Sequence, residues 1–448
     1  MSKLQPYTKY QPVQYDYVSQ LPNGWKLLPN IAVFKERKEK GGLEMESLSV
    51  SAIKGIVKAT DYEDRKDRTS DDKSEYLVVH EGDIPYNTML MWAGAVGRSE
   101  YAGIVSPAYT VLQPKSKVEI NTKYFHYMFR TQFYKDYSKR FSYGIVDSRL
   151  RLYYTYFKRM YSIVPPLETQ NAIVAYLDRK TLQIQEFIAK KERLIELLEE
   201  QKSSVIRKYV TKGVQSNSSL KPSNVDWIGD IPKHWQIKKL KYCSKIIYGI
   251  SPHESTYNDK GIGTVLINGP VEYSEENFGY TRELKWTTDP KKFAPKDALL
   301  FCLRGSTTGR LNICHNNVSI GRGVAAIISE TDQEFMIFAM KSLVDFISDS
   351  FKGSTFPSVT SEDLNNYLFP FPNEIIEQRK IVSRIKDEVV SFDNAINKAK
   401  QEIQKAKEYQ ESLITQVVTG QLKVPCDPDV TKRENQHAKT LYISSLNM

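Results

Sequence analysis

No stretch of this chain approaches the roughly 18 to 20 consecutive apolar residues that a membrane-spanning helix needs, and the polar start MSKLQPYTKYQPVQ has no apolar signal core. A cytoplasmic protein without membrane contact is expected. Cysteine is scarce: Cys243, Cys302, Cys314 and Cys426 form no CxxC pair, which excludes a disulfide framework. Cys314 stands beside His315 and twelve residues from Cys302, but zinc sites normally take ligands in tight pairs, so no metal is expected. Catalytic signatures are missing too. The six histidines are scattered with no HExxH spacing, no GxSxG elbow is present, and no Asn-Pro-Pro-aromatic tetrapeptide of adenine methyltransferases occurs. GSTTGR at 305–310 is one residue short between its glycines for a phosphate loop, and GRGVAA at 321–326 runs on into a β-like stretch instead of opening a helix. Both read as turns or binding loops, and catalysis by this chain alone is not expected.

What the sequence does contain is length and positive charge. Its 448 residues, 40% of them hydrophobic, suffice for several domain cores, and 63 Lys and Arg against 53 Asp and Glu leave a net charge of +10. Nucleic acid is the first partner to consider.

The chain repeats itself. DYVSQLPNGW at 16–25 returns as DWIGDIPKHW at 226–235, so that Asp16, Pro22 and Trp25 recur as Asp226, Pro232 and Trp235 at an offset of 210. Downstream, TQNAIVAYL at 169–177 returns as EQRKIVSRI at 377–385, with Gln170 matching Gln378 at an offset of 208. Each of these follows a proline-rich lead-in, and the order is domain, helix, domain, helix.

Both helical segments carry a heptad seam. With Val174 at position a, Val174, Ile188, Ile195 and Tyr209 occupy a, while Leu177, Ile184, Leu198 and Val205 occupy d. Moved on by 208, the frame puts Val382, Val389, Ile396, Ile403 and Val417 at a, with Ile385, Phe392, Ala399, Ala406 and Leu413 at d. Thr181, Lys191, Lys202 and Gln410 interrupt the seams, as a paired coil tolerates at a cost in stability. Each helix should run about 40 to 45 residues, or roughly 60 to 67 Å. The competing arrangement is two separate helices, each lying on its own domain. Pairing is favoured because a surface helix normally ends within about 20 residues, whereas these continue without Pro or Gly to Gly213 and Gly420.

The two globular segments read as mixed and β-rich: EYLVVHEGDI (75–84), GIVSPAYTVL (103–112), DALLFCLRG (297–305) and GVAAIISE (323–330) are short strand patterns ending in Gly, Pro or Asp. Helical patterns follow at 121–137 and 332–349. Near the strand ends lie basic, Gly-rich loops, MWAGAVGRSEY (91–101), SYGIVDSRLRLYY (142–154), FCLRGSTTGR (301–310), SIGRGV (319–324) and GSTFPSV (353–359). Glycine lets a backbone approach phosphate closely, and Arg, Ser, Thr and Asn reach phosphates or base edges, a combination that suits DNA. The 28 tyrosines, dense between 124 and 161, allow base stacking, but core packing explains them more simply.

These stretches carry a resemblance. LPNGW (21–25), GDIPYN (82–87), MWAGAVGRSEYAGIVSPAYTVL (91–112) and VDSRLRLYY (146–154) in the first half, with WIGDIPKHW (227–235), RGSTTGR (304–310), IGRGVAAI (320–327) and GSTFPSVT (353–360) in the second, closely resemble the specificity (S) subunit of type I restriction-modification systems. The helices add PPLETQNAIVAYLD (165–178), EQRKIVSRI (377–385) and the closing VVTGQL (417–422). The chain departs at TKGV (211–214), where a small residue and glycine are usual, and at Lys296-Asp297, where a Gly-Asp turn is usual.

The resemblance implies an α+β fold in which two duplicated β-rich target recognition domains alternate with two long helices that pair as an antiparallel coiled coil. The expected layout is domain 1 over 1–165, the first spacer helix over 166–213, domain 2 over 214–370, the second spacer helix over 371–424 and a polar tail over 425–448. It further implies a chain without a catalytic site or cofactor of its own. Its two domains read the halves of a split, asymmetric site on double-stranded DNA, and its helices set the spacer. The implied partners are two adenine-N6 methyltransferase (M) subunits carrying S-adenosylmethionine, and restriction (R) subunits that use ATP and Mg. Candidate DNA contacts are Asn87, Arg98, Arg149 and Arg151 in the first domain and Arg304, Ser306, Thr307, Arg310, Arg322 and Thr355 in the second. For any one arginine the competing reading is a structural ion pair with a local carboxylate. Two alternatives stand beside this reading: a scaffold that binds protein or carbohydrate, and an S subunit of a related system whose methyltransferase and nuclease share one chain.

Overall fold

The structure, a computed structural model, describes residues 4–15, 17–41, 44–61, 73–144, 150–215, 218–274, 279–305, 307–350 and 358–425, with main chain only at 348–350. The chain forms two compact units, one built from the chain up to Lys190 together with the chain from Glu402, the other from Lys191–Gln401. Each unit takes a stretch of both long helices.

In the first unit, β1 (Tyr10–Pro12) pairs antiparallel with β2 (Gln20–Pro22). Next come β3 (Lys26–Pro29), the short α1 (Asn30–Val33), β4 (Phe34–Arg37) and the hairpin of β5 (Leu48–Ser51) and β6 (Gly55–Lys58). β7 (Leu77–Val79), β8 (Ile84–Asn87), β9 (Gly103–Val105) and β10 (Tyr109–Pro114) complete small antiparallel sheets ordered β4-β10-β8 and β7-β9. The helix expected over 121–137 is broken at Arg130 and Thr131 into α2 (Thr122–Phe129) and α3 (Gln132–Phe141). After α4 (Tyr154–Phe157), β11 (Tyr161–Val164) pairs with β3 and leads into α5 (Leu167–Lys212). The aromatic run is mainly core: Tyr124, Phe125, Phe129, Tyr134 and Phe157 are fully buried.

The second unit repeats the opening with β12 (Leu220–Pro222) against β13 (Asp230–Pro232), and β14 (Gln236–Lys239) against β24 (Leu368–Phe371). Between them run β15 (Ser244–Tyr248), β16 (Tyr257–Asn258), β17 (Thr264–Ile267), β18 (Trp286–Thr287), β19 (Phe293–Ala294), β20 (Leu299–Cys302), β21 (Leu311–Ile313), β22 (Val318–Ile320) and β23 (Val324–Ser329). They form sheets ordered β15-β23-β20-β21 and β16-β18-β17-β22-β19, antiparallel except for β17 with β22. α6 (Gln333–Ser350) and α7 (Ser361–Asn366) precede the second long helix, α8 (Ile375–Val418). The Lys296-Asp297 turn places the left-handed residue at Asp297, with φ of 64°.

The two long helices have 46 and 44 residues and end where glycine takes a positive φ, 71° at Gly213 and 75° at Gly420. The seam is visible as burial. Between residues 181 and 202 of α5 only Thr181, Ile184, Ile188, Lys191, Ile195, Leu198 and Lys202 are withdrawn from solvent, a 3-4 alternation. On α8, Val382, Ile385, Val389 and Ile396 are buried, Phe392 and Ile403 half-buried. In the first unit Val174 and Leu177 share a core with Leu413, Val417 and Val418. In the second, Ile206, Tyr209 and Val210 share one with Ile381, Val382, Ile385 and Val389. There the direction is antiparallel: Lys202 Nζ meets Asp393 Oδ1 at 2.5 Å, and seven residues on, Tyr209 donates to Glu388 Oε1 at 2.6 Å. Lys202, an interruption in the sequence pattern, is thereby answered by a carboxylate. Among the described residues no helix is long and apolar enough to cross a membrane.

The repeated glutamine performs one task twice. Gln170 donates to Pro165 O at 2.8 Å and accepts the N–H of Asn121, the N-cap of α2, at 2.9 Å. Gln378 donates to Pro372 O at 2.8 Å and accepts the N–H of Asp332, just ahead of α6, at 3.1 Å. Each carboxamide therefore ties a long helix, its proline lead-in and a domain helix together. Both side chains are buried, so truncation strands a buried N–H and carbonyl, which costs about 1–3 kcal/mol. Gln170→Ala and Gln378→Ala are each expected to lower the unfolding free energy from urea titration by that amount, and a change below ~0.5 kcal/mol would contradict the clamp.

Candidate nucleic-acid interface

The second unit gathers its candidate residues at one end of a strand pair. Cys302 of β20 faces Val324 of β23, and one step further Leu303 donates its N–H to Gly323 O at 2.9 Å. Arg304 and Arg322 stand beyond that bond on adjoining strand ends, both exposed, and no carboxylate among the described residues pairs with either. The backbone at Arg322 is fixed. Gly321 donates to Ile267 O at 2.9 Å, and a Cβ there would lie 1.9 Å from Asn268 Oδ1, so only glycine fits. That same Oδ1 accepts from Ser251 Oγ at 2.9 Å, and Ser251 Oγ accepts the N–H of Arg322 at 3.1 Å. Residues 307–309 form a turn, and Gly305 and Gly309 both take a positive φ. Two exposed guanidiniums with no carboxylate partner among the described residues have the chemistry to take phosphate or guanine.

The other candidates differ. Thr307 is half-buried, its Oγ1 3.6 Å from Cys302 Sγ, and the half-buried Arg310 donates to Ser274 O at 2.6 Å. Ser306 and Thr355 lie outside the described residues. Val359, just after the segment that holds Thr355, donates to Leu303 O at 2.9 Å and so returns the chain to the arginine loops.

In the first unit, Arg151 is exposed and donates to the Tyr153 hydroxyl at 3.2 Å, while its main chain bridges to Tyr143, itself 72% exposed. Tyr143 and Tyr153, like Tyr156 and Tyr161, are exposed rather than core, and with Arg151 the first two offer stacking surface. Arg149 lies outside the described residues. Asn87 is buried and its Oδ1 accepts the N–H of Met89 at 2.9 Å, so it shapes the turn after β8 rather than facing solvent. Arg98 is spent within the fold: it pairs with Glu100, lies 3.4 Å from Glu81 and donates to Thr122 Oγ1 at 3.2 Å. For Arg98 the local ion pair is what the fold contains. A Gly-rich setting makes a structural arginine look like a binding one in sequence.

His126 and Arg130 of the first unit carried no signal in sequence, yet they hold the loop that ends at Arg98. His126 Nδ1 accepts the N–H of Arg98 at 3.2 Å, and a Cβ on Gly97 would lie 3.1 Å from that nitrogen. Burial, followed by the charges of Arg130, Lys123 and Arg98, pushes the His126 pKa down to about 3. Burial likewise pushes the Cys314 thiol up to about 12 and Cys243 up to about 11; Cys426 lies outside the described residues. Among the described residues no group of three or more His, Cys, Asp or Glu is arranged to hold a metal.

The family model for the type I restriction modification DNA specificity domain matches residues 232–407. The chain is 30% identical over 278 residues to a protein of Methanocaldococcus jannaschii assigned as the MjaX type I restriction enzyme specificity subunit, a stretch covering 60% of this chain and 61% of that one. It is 26% identical over 379 residues to the MjaVIII type I restriction enzyme specificity subunit of the same organism, covering 78% and 81%. Among solved structures, a chain from work on complex assembly and conformational transition of the type I R-M system superposes with a TM-score of 0.65 at 17% identity, covering 90% of this chain and 99% of that one. That likeness concerns the fold. Fold and site together define a duplicated α+β chain with two long helices. Residues 232–407 thus match a type I restriction modification DNA specificity domain, and over longer stretches the chain is similar to type I restriction enzyme specificity subunits.

A pH dependence follows from His126. The unfolded chain takes up a proton there below about pH 6.5, whereas the folded unit does so only near 3. The depressed pKa therefore leaves stability whole above pH 6.5 and erodes it as the pH falls, by at most about 1.4 kcal/mol per pH unit from this group. Urea titrations between about pH 8 and pH 5 should show that loss, and His126→Asn should flatten it. An unchanged slope in the variant would contradict the assignment.

Proposed function

We propose that this chain is the DNA-recognition component of a type I restriction-modification complex. Its two units read the two halves of a split, asymmetric site on double-stranded DNA. The paired helices set the unspecified gap and dock two methyltransferase subunits. The observation that carries the reading is the pair Arg304 and Arg322, both exposed and without a carboxylate partner among the described residues, with the backbone at Arg322 held by Gly321, Asn268 and Ser251. Like charges held together in this way are relieved by phosphate.

The chain itself performs no chemistry in this account. S-adenosylmethionine belongs to the methyltransferase partner, and ATP with Mg to restriction subunits. Arg151 with Tyr143 and Tyr153 supplies contacts in the first unit, and Thr307 and Arg310 line the second.

The test is adenine methylation read base by base on genomic DNA from cells expressing this chain with a methyltransferase encoded beside it. A split motif methylated on both strands, and lost on deleting the chain, is expected; methylation unchanged by the deletion would sink the reading. Arg304→Ala and Arg322→Ala separate the two kinds of contact. A base-reading arginine costs about 1–3 kcal/mol and relaxes one position, while a phosphate contact weakens all sequences alike and flattens the salt dependence.

A further inference from the structure

The β5–β6 hairpin presents an apolar side chain that packing inside the unit does not explain. Ile53 is 88% exposed, the highest value for any large hydrophobic among the described residues. A lone exposed isoleucine on a loose loop would mean nothing, but this tip is rigid. Ser51 pairs with Gly55 across the ladder, and Gly55, with φ of 78°, closes a three-residue loop of Ala52, Ile53 and Lys54. Ser51 Oγ accepts the N–H of Ile53 at 3.2 Å and of Lys54 at 3.1 Å.

Beneath the tip stands Arg130, at the break between α2 and α3. Its Nη2 donates to Ala52 O at 2.9 Å and Ile53 O at 2.7 Å, and its Nη1 to Ser51 O at 3.3 Å, Gly94 O at 3.3 Å and Val96 O at 3.0 Å. Five carbonyl oxygens from two loops replace water around this guanidinium, and no carboxylate among the described residues pairs with it. Three of the five belong to the hairpin tip, so the charge is spent on fixing three consecutive peptide groups. Removing it would leave those carbonyls without a donor and free the tip to move.

We propose that the β5–β6 hairpin is a base-reading element of the first unit: it enters the major groove with Ile53 against a thymine methyl group, Lys54 beside it at phosphate, and Arg130 as the positioning residue. The inference rests on the DNA-recognition reading above. A two-stranded ribbon fits the major groove, where thymine presents its methyl group to apolar side chains. Ile53 has no donor or acceptor beyond its backbone, so a methyl contact is the readout this tip can make. Lys54 is exposed next to it and supplies the cation that the phosphate flank requires.

The experiment uses the full chain with its methyltransferase partner on synthetic duplexes of the motif that the wild-type complex methylates. Each thymine of the half read by the first unit is replaced in turn by deoxyuridine, which removes only the methyl group. One position is expected to lose about fourfold in affinity with wild type, the worth of one buried methyl group, and nothing with Ile53→Ala. Ile53 touches solvent on almost every side, so that variant folds. Arg130→Gln is expected to relax the same half while the other half stays as strict as in wild type, a split that general unfolding does not produce. A half without a methyl-sensitive thymine, or an Ile53→Ala complex as methyl-sensitive as wild type, overturns the inference and leaves DNA recognition standing. A wild-type complex that methylates no motif overturns both.

Discussion

A helix of more than forty residues with a single apolar stripe cannot be stable alone in water, and the chain carries two of them. Covering those stripes is the constraint on which the rest depends. In each unit a stretch of α5 is matched with a stretch of α8, and the ends of both helices pass into the domain cores. Val418 of α8 accepts from the Tyr124 hydroxyl at 2.9 Å, deep in the first unit, 294 residues away in sequence. The polar interruptions do not weaken the seam at random, since Lys202 finds Asp393 and the register gains a charged reference point.

The same economy appears where the domains meet their helices. Gln170 and Gln378 make equivalent bonds to a proline carbonyl and to the start of a domain helix, so the loops inherit their position from the seam through one buried carboxamide. At the outer ends of the strands the logic reverses. Arg322 is held at the backbone, and neither its guanidinium nor that of Arg304 has a carboxylate partner among the described residues, whereas Arg130 is consumed by carbonyls and Arg98 by carboxylates. Which arginine serves the fold and which serves a partner is decided by what surrounds each in space.

That distinction marks the limit of what could be read in advance. Trp25 and Trp235, the two glutamines and the heptad frame were legible because repetition and period are properties of the chain alone. Burial at 181, 184, 188, 191, 195, 198 and 202 follows the frame set from Val174. The role of Arg130 was not legible, because its acceptors are main-chain oxygens 34 to 79 residues away and any residue type supplies a carbonyl. Asn87 and Arg98 looked like contacts because a turn that needs Gly, Asn and Arg for its own geometry has the same composition as a loop that binds DNA. The break at Arg130 and Thr131 was hidden as well, since the apolar period runs through it, and the end of α2 is marked by Thr131, whose N–H and Oγ1 both turn back to Met128 O, at 3.2 and 2.6 Å.

The central proposal is that the length of the paired helices sets the gap between the two half-sites. Deleting one heptad from each long helix at matching levels keeps every a and d position in register and shortens the seam by about 10.5 Å, or roughly three base pairs of duplex. The account predicts that the shortened chain, expressed with its methyltransferase, methylates a motif with both halves unchanged and about three fewer base pairs between them. Methylation at the original spacing would contradict it.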